Sequence, residues 1–148
     1  MSIDKFWDQA RKLLPHLPQE APEEWSFGAT PEHANELLGL VLDGVKTGTA
    51  SLLGEYESGD ELPAAGDLSI ILDGVEKPIA IIETTSVTIV PFDEVTEDHA
   101  HSEGEGDRTL ASWREIHQRF WRTHTDVEFT ESSPVVCERF RLIYPVSN

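Results

Sequence analysis

The feature that most constrains the fold is a hairpin pattern in the middle of the chain. The aliphatic runs Leu68 to Leu72 and Pro78 to Thr84 flank Asp73-Gly74, a dipeptide that is typical of tight turns. Ser86 to Val90 continues the second run past a bend or bulge. Because strands joined by a short turn pair antiparallel, the pattern favours an antiparallel or mixed sheet over a doubly wound parallel one.

Helical patterns lie on both sides of this hairpin, each with an apolar face and a hydroxyl residue that can cap its first turn. The predicted helices cover residues 3–14, Thr30-Pro31 to Gly44, and Leu110 to Thr123. The first is stopped by prolines, and the second begins with proline in its first turn.

Two further strands are predicted outside the hairpin, a short one at Thr49 to Leu53 and a final one at Val135 to Tyr144. Pro15 to Thr30 is predicted to be an irregular connection, and Pro91 to Asp107 a loop or a short helix. Together the elements predict an α+β domain: a small mixed, mostly antiparallel β-barrel flanked by about three helices.

The chain is strongly acidic, with 11 Lys and Arg against 28 Asp and Glu and a net charge of −17. Binding of duplex DNA draws most of its affinity from basic side chains on phosphates, so we expect no duplex DNA partner. Between Lys12 and Arg108, Lys46 and Lys77 are the only Lys or Arg residues. We therefore expect a small substrate, or nucleic acid held at a local positive spot.

The length of 148 residues fits a single domain. Its aliphatic runs are shorter than the roughly 20 apolar residues that span a bilayer, and no signal peptide is predicted. The single Cys137 excludes an intramolecular disulfide and favours a reducing compartment. We expect a cytoplasmic protein with no membrane partner; the sequence leaves its oligomeric state open.

The glycine-rich segment between the second helix and the first strand is one candidate site. Lys46 offers a charge for a phosphate, or a nucleophile or base where burial lowers its pKa. Thr47, Thr49 and Ser51 add hydroxyls, and the last two share one face of an extended strand. The alternative is an ordinary helix-to-strand turn with an exposed lysine.

A second candidate is the acidic segment that precedes the third helix. His99, His101, Glu105 and Asp107 are candidate ligands of a divalent metal. Glu103, in the same segment, is a candidate general acid or base. The alternative is a solvated acidic loop with glycine turns.

A third candidate lies on the last helix. Arg114 can present its guanidinium to a phosphate or a base, next to a core Trp113. His117, one turn further on, is favoured as a structural histidine. Asp67, before a strand, is predicted to satisfy the backbone donors of a turn.

Taken in order, these segments resemble the ASCH domain, a PUA-like family named for its homology to a human transcription coactivator. The matching segments are Gly44-x-Lys46-x-x-Thr49, Gly66-Asp67-Leu68-Ser69-Ile70, Ile81 to Val87, Pro91 to Val95, His99-Ala100-x-x-Glu103-Gly104, Trp113-x-x-x-His117 and Glu138 to Tyr144. The resemblance implies a PUA-like ASCH domain over residues 25–148. Residues 1–24 then form a helix and connection packed on the core, as in longer bacterial members.

The resemblance implies an RNA-related activity; of three alternatives it favours a hydrolase that cleaves single-stranded RNA with divalent-metal help, and the other two stay open. Longer bacterial members resemble this chain in length and cut single-stranded RNA with a divalent metal, Mn²⁺ or Mg²⁺. Short members hydrolyse the amide of N4-acetylcytidine, a nucleoside, without a cofactor. The roles of lysine, threonine and glutamate in that reaction fall on Lys46, Thr49 and Glu103. The third alternative is a non-catalytic module that binds RNA or a modified nucleoside.

In each alternative the substrate cleft is centred on Lys46. The residues expected to bind substrate there are Thr47, Ser51, Asp67, Arg108, Trp113 and Arg114. The family pattern usually places an arginine two residues after its threonine, whereas this chain has Ser51. Arg108 and Arg114 are the candidates to replace that arginine.

Overall fold

The structure, a computed structural model, describes residues 2–145. They form an α+β domain in which a five-stranded mixed sheet curls into a half-barrel flanked by four α-helices. The elements in chain order are α1 (Ile3–Leu13), β1 (Glu23–Trp25), α2 (Pro31–Leu42), β2 (Gly48–Leu52), β3 (Leu68–Leu72), β4 (Pro78–Pro91), α3 (Glu97–Glu103), α4 (Leu110–His124) and β5 (Pro134–Tyr144). Short 3₁₀ turns follow β2 and β4.

The strand order β1-β3-β4-β5-β2 confirms the predicted fold class. β3 and β4 form the predicted hairpin, and all pairs are antiparallel except β1 with β3. The long β4 shifts register between Thr84 and Ser86, where the sequence predicts a bend. Bulges of this kind increase strand twist. The sheet curls so that its edge strands β1 and β2 form opposite walls of one cleft.

The prediction of a wholly irregular connection over residues 15–30 is wrong at β1. Glu23 and Trp25 pair in parallel with Ser69 and Ile71 of β3. Three residues are too few to show alternation, and their partner lies more than forty positions along the chain. The fourth helix, α3, lies in the segment for which the sequence leaves a loop or a short helix open.

The predicted helix starts are confirmed by their caps. The side chains of Ser2, Thr30 and Thr109 accept hydrogen bonds from backbone N–H groups in the first turns of α1, α2 and α4. α2 packs Leu37 and Val41 against the sheet. No helix within residues 2–145 combines the length and apolar character needed to cross a membrane.

Candidate functional site

Glu103, the last residue of α3, lies at the centre of a buried polar cluster and is 1% exposed. Its Oε2 accepts hydrogen bonds from His99 Nε2 at 2.8 Å and Trp113 Nε1 at 2.6 Å. Its Oε1 accepts from His117 Nε2 at 3.1 Å and lies 3.6 Å from Lys46 Nζ. Because a buried carboxylate needs such partners, four side chains hold one negative charge at a fixed point.

Hydrogen bonds also define the proton positions on the two histidines. His117 Nδ1 faces the Trp113 carbonyl oxygen at 2.9 Å, while Nε2 faces Glu103. Both neighbours are acceptors, so both ring nitrogens carry a proton and His117 is an imidazolium. His99 differs, because Arg139 Nε donates to its Nδ1 at 3.4 Å. Its proton therefore lies on Nε2, which donates to Glu103.

The charges of Glu103 and His117 stabilise each other. Burial disfavours the carboxylate, but the charges of His117 and Lys46, with hydrogen bonds from both histidines, outweigh it. They hold the pKa of Glu103 well below its ordinary value of 4.5. Burial also disfavours the imidazolium. The charge and hydrogen bond of Glu103 overcome this effect and raise the pKa of His117 above its ordinary value of 6.5.

We expect thermal stability to fall on both sides of a pH window set by this pair. The pKa of Glu103 is lowered on folding, so its contribution is present above pH 4.5 and is lost as the pH falls through the folded value. The pKa of His117 is raised, so its contribution is present below pH 6.5 and is lost as the pH rises through the folded value.

Melting temperatures across pH check this expectation. The variant His117→Gln should lose the fall on the alkaline side, and the exposed control His16→Gln should keep it. An alkaline fall of unchanged size in His117→Gln would contradict the assignment.

Lys46 lies between α2 and β2 and is 2% exposed. Its Nζ donates to the carbonyl oxygens of Gly48 at 2.9 Å and Glu103 at 3.3 Å, and to Glu105 Oε2 at 3.2 Å. An ammonium has three protons, and these acceptors use all of them. Nζ also lies 5.4 Å from the centre of the Phe27 ring. Lys46 is therefore a buried, fixed cation and not the exposed lysine of an ordinary turn.

A small cavity of about 80 Å³ lies against this lysine. Its polar wall includes Lys46, Glu103, His117 and Thr49. Its apolar wall is formed by Phe27, Leu37, Ile116, Phe120 and Trp121. A volume of this size holds a few water-sized groups. The small cavity therefore suits a short apolar group placed beside a polar centre.

The small cavity adjoins a larger cleft of about 830 Å³ between β1 and β2, and Thr49 lines both. Trp25, Phe27 and Tyr56 give the large cleft aromatic surfaces. Its acidic residues are Glu23, Asp60, Glu61, Asp67 and Glu138. Among the residues that the structure describes, no Lys or Arg lines it. The large cleft is thus suited to a planar group that carries no negative charge.

Several residues predicted from the sequence meet at these two cavities. Lys46, Thr49 and Glu103 surround the small cavity, and Ser51 and Asp67 line the large cleft. The Ser51 hydroxyl lies 3.0 Å from that of Tyr56. Asp67 Oδ2 accepts from the Ala64 N–H at 2.9 Å, as the predicted turn requires. No hydrogen-bond partner of the Thr49 hydroxyl is present within residues 2–145.

Other predicted substrate-binding residues lie outside both cavities. Thr47 is exposed, and Arg108 donates to the carbonyl oxygens of His101 and Val45. Trp113 belongs to the cluster around Glu103. Arg114 lies with Arg119 and Arg122 along one side of α4, and its Nη2 donates to the Asp93 carbonyl oxygen.

Several side chains that line the two cavities have no predicted role at the site, among them His33, Tyr56 and Glu138. Glu138 is the partner of Thr49 in the pairing of β5 with β2. Both strands are predicted, but their register is set by contacts between distant segments. His33 lies in the first turn of a predicted helix, and that position in the sequence does not indicate a functional site.

Glu103, Glu105 and His117 each offer a ligand atom within 4.8 Å of the others. Of the four predicted metal ligands, Glu105 alone belongs to this group. His99 binds Glu103, His101 is exposed, and Asp107 accepts from Thr109 at the start of α4. The group fits a divalent metal poorly, because Lys46 Nζ already lies beside both carboxylates and His117 Nε2 carries a proton.

Comparison with known proteins gives consistent matches. Residues 23–144 match the family model described as the ASCH domain. The crystal structure of a DUF984 protein from Enterococcus faecalis is 35% identical, with a TM-score of 0.85 over 99% of this chain and 96% of that chain. An ASCH domain from Lactobacillus crispatus is 33% identical, with a TM-score of 0.82 over 95% and 92%. The comparison with curated proteins returned no match.

Proposed function

The chain belongs to the ASCH domain family, and from this premise we propose that it hydrolyses the acyl amide of an N4-acylated cytosine nucleoside. One observation carries the proposal. Lys46, Thr49 and Glu103 surround a small cavity that opens into a large cleft. N4-acetylcytidine is the simplest such substrate, and its hydrolysis gives cytidine and acetate.

The sizes and chemistry of the two cavities support this substrate class. The apolar wall of the small cavity can take the short acyl group next to Thr49. The large cleft can take the pyrimidine and ribose against Trp25 and Tyr56. A nucleoside carries no phosphate, so the acidic lining of the large cleft does not repel it.

Thr49 supplies the nucleophile in this proposal. Its hydroxyl oxygen attacks the acyl carbon, the bond from that carbon to N4 breaks, and the nucleoside leaves with a proton on N4. Water then attacks the ester on Thr49, releases the carboxylic acid and returns a proton to the threonine oxygen. The position of Thr49 in both cavities supports this role.

Lys46 transfers the proton. Its Nζ must first lose one, and Glu105 Oε2, at 3.2 Å, is the adjacent acceptor. The neutral amine then takes the Thr49 proton and passes it to N4, and Glu105 returns its own proton to Lys46 when the cycle closes. The lowered pKa of Glu103 suits its carboxylate to orienting Lys46 and not to protonating the leaving amine.

Cleavage of single-stranded RNA with a divalent metal is the second candidate. The observation in its favour is that Glu103, Glu105 and His117 each offer a ligand atom within 4.8 Å of the others. Two features weigh against it. Lys46 Nζ already lies 3.6 Å from Glu103 Oε1 and 3.2 Å from Glu105 Oε2, and the acidic large cleft repels a phosphodiester. A module that binds without catalysis needs the same cavities but predicts no turnover.

An assay with four mixtures separates these functions. The purified protein is incubated with N4-acetylcytidine and with a single-stranded RNA, each with and without EDTA. Cytidine release that is insensitive to EDTA supports the proposal. RNA cleavage that EDTA abolishes supports the metal-dependent nuclease, and no turnover in any mixture supports the binding module.

Thr49→Val is expected to lower kcat for N4-acetylcytidine by about a thousandfold, because it removes the nucleophile at nearly constant volume. Thr49→Ser keeps a hydroxyl and should retain part of the activity. The matched control is Thr88→Val, on an exposed position of β4. Chromatography of released cytidine gives the rates, and full activity of Thr49→Val would exclude Thr49 as the nucleophile.

A further inference from the structure

Glu138 lies in β5 directly opposite Thr49 in β2. Directly paired residues of antiparallel strands point to the same face, with Cβ atoms about 4.5–5.5 Å apart. Both side chains line the large cleft. The Glu138 carboxyl is therefore close to the proposed nucleophile, on a strand held by hydrogen bonds on both sides.

Among the described residues that line the large cleft around Glu138, no side chain is a Lys or an Arg. The titratable side chains that share this cleft with Glu138 are Glu23 of β1, Tyr56, Asp60 and Glu61 after β2, and Asp67 before β3. Arg139, the next residue of β5, binds His99 in the cluster around Glu103 instead. No cation of the cleft lining thus favours the ionised form of Glu138.

The state of the carboxyl follows from these surroundings. Burial raises the pKa of Glu138, and the negative charges of Asp67 and Glu103 raise it further, while the hydroxyl of Thr84 acts in the opposite direction. Glu138 therefore keeps its proton to higher pH than an exposed glutamate. A protonated carboxyl offers one donor and one acceptor side by side.

We propose that protonated Glu138 recognises the N3 and N4–H edge of the cytosine ring; this role rests on the proposed function. In an N4-acylated cytosine, N3 is an acceptor and N4 keeps one N–H. The carboxyl O–H donates to N3, and its carbonyl oxygen accepts from N4–H. An ionised carboxylate has acceptors alone and opposes the N3 lone pair. Donation to N3 also makes the departing N4 a weaker base, which helps the nucleoside leave.

Binding of cytidine, the product, tests the proposal without requiring turnover. Titration calorimetry is performed from about pH 5, just above the ordinary pKa of a glutamate, to about pH 8. For the wild type, Kd should rise with pH by up to about tenfold per unit once the carboxyl ionises. Glu138→Gln should bind with a nearly constant Kd, because an amide keeps one donor and one acceptor at every pH.

Two further variants make the test specific. Glu138→Leu should bind cytidine at least about tenfold more weakly at low pH, since the bidentate contact is lost. Glu23→Gln removes an equal charge from the same cleft and should keep the wild-type pH dependence. The proposal is overturned if Glu138→Gln shows the wild-type pH dependence, or if Glu138→Leu binds as tightly as the wild type.

The outcome is separable from that of the proposed function. Cytidine binding with the expected pH dependence, but without hydrolysis of N4-acetylcytidine, would keep the recognition role and reject the hydrolase. Hydrolysis with Kd values that do not depend on pH would keep the hydrolase and reject the role of Glu138. Absence of cytidine binding by the wild type at any pH would reject the recognition role.

Discussion

Glu103→Ala is expected to lower the free energy of unfolding by about 3–5 kcal/mol. The carboxylate is fully buried and accepts hydrogen bonds from His99, Trp113 and His117. Removing it leaves the indole N–H and the imidazolium of His117 buried without their acceptor. The loss of stability arises from these unpaired buried donors and from the cavity left by the side chain. Together they cost more than the net contribution of any single hydrogen bond.

Urea unfolding followed by tryptophan fluorescence measures this loss, because Trp113 lies in the cluster. The matched control is Glu115→Ala in α4. Glu115 pairs with Arg119 on the surface, where the two side chains are 71% and 74% exposed, so its loss should cost less than about 1 kcal/mol. Equal effects of the two substitutions would mean that the buried cluster does not contribute to stability as argued.

Most of the helices and strands around this cluster can be predicted from the sequence. α2 and α4 are predicted from apolar periodicity and from their threonine caps, and both caps are observed. The β3–β4 hairpin is predicted from its turn residues. These signals act over a few positions, so they do not depend on the tertiary structure. By contrast, β1 forms through pairing with a distant strand, which no local pattern reveals.

The candidate site was predictable to a smaller extent. Lys46 and Glu103 could be paired from the ordered resemblance, although 57 positions separate them. The sequence predicts Glu105 as a metal ligand, because it is an acidic residue near two histidines. The same pattern also occurs where a lysine pairs with the carboxylate, as Lys46 does here. The place of Glu138 at the site could not be predicted, since its position opposite Thr49 depends on the register of β2 with β5.

Lys46→Met should lower kcat for N4-acetylcytidine by about a thousandfold, within the usual range for the loss of proton transfer. Methionine keeps most of the aliphatic stem of the lysine and removes the ammonium group that contacts Glu103, Glu105 and the face of the Phe27 ring. Circular dichroism shows whether the fold persists. Lys77→Met, at an exposed position before β4, is the matched control and should retain wild-type activity.

Lys46→Arg separates proton transfer from charge alone. A guanidinium keeps the positive charge between the two carboxylates but does not lose a proton at ordinary pH. If Lys46 carries the proton from Thr49 to N4, the arginine variant should be about as inactive as Lys46→Met while remaining folded. Substantial activity of Lys46→Arg would show that a fixed cation suffices, which would reject the proton-transfer step and favour a role in holding an anionic substrate or intermediate.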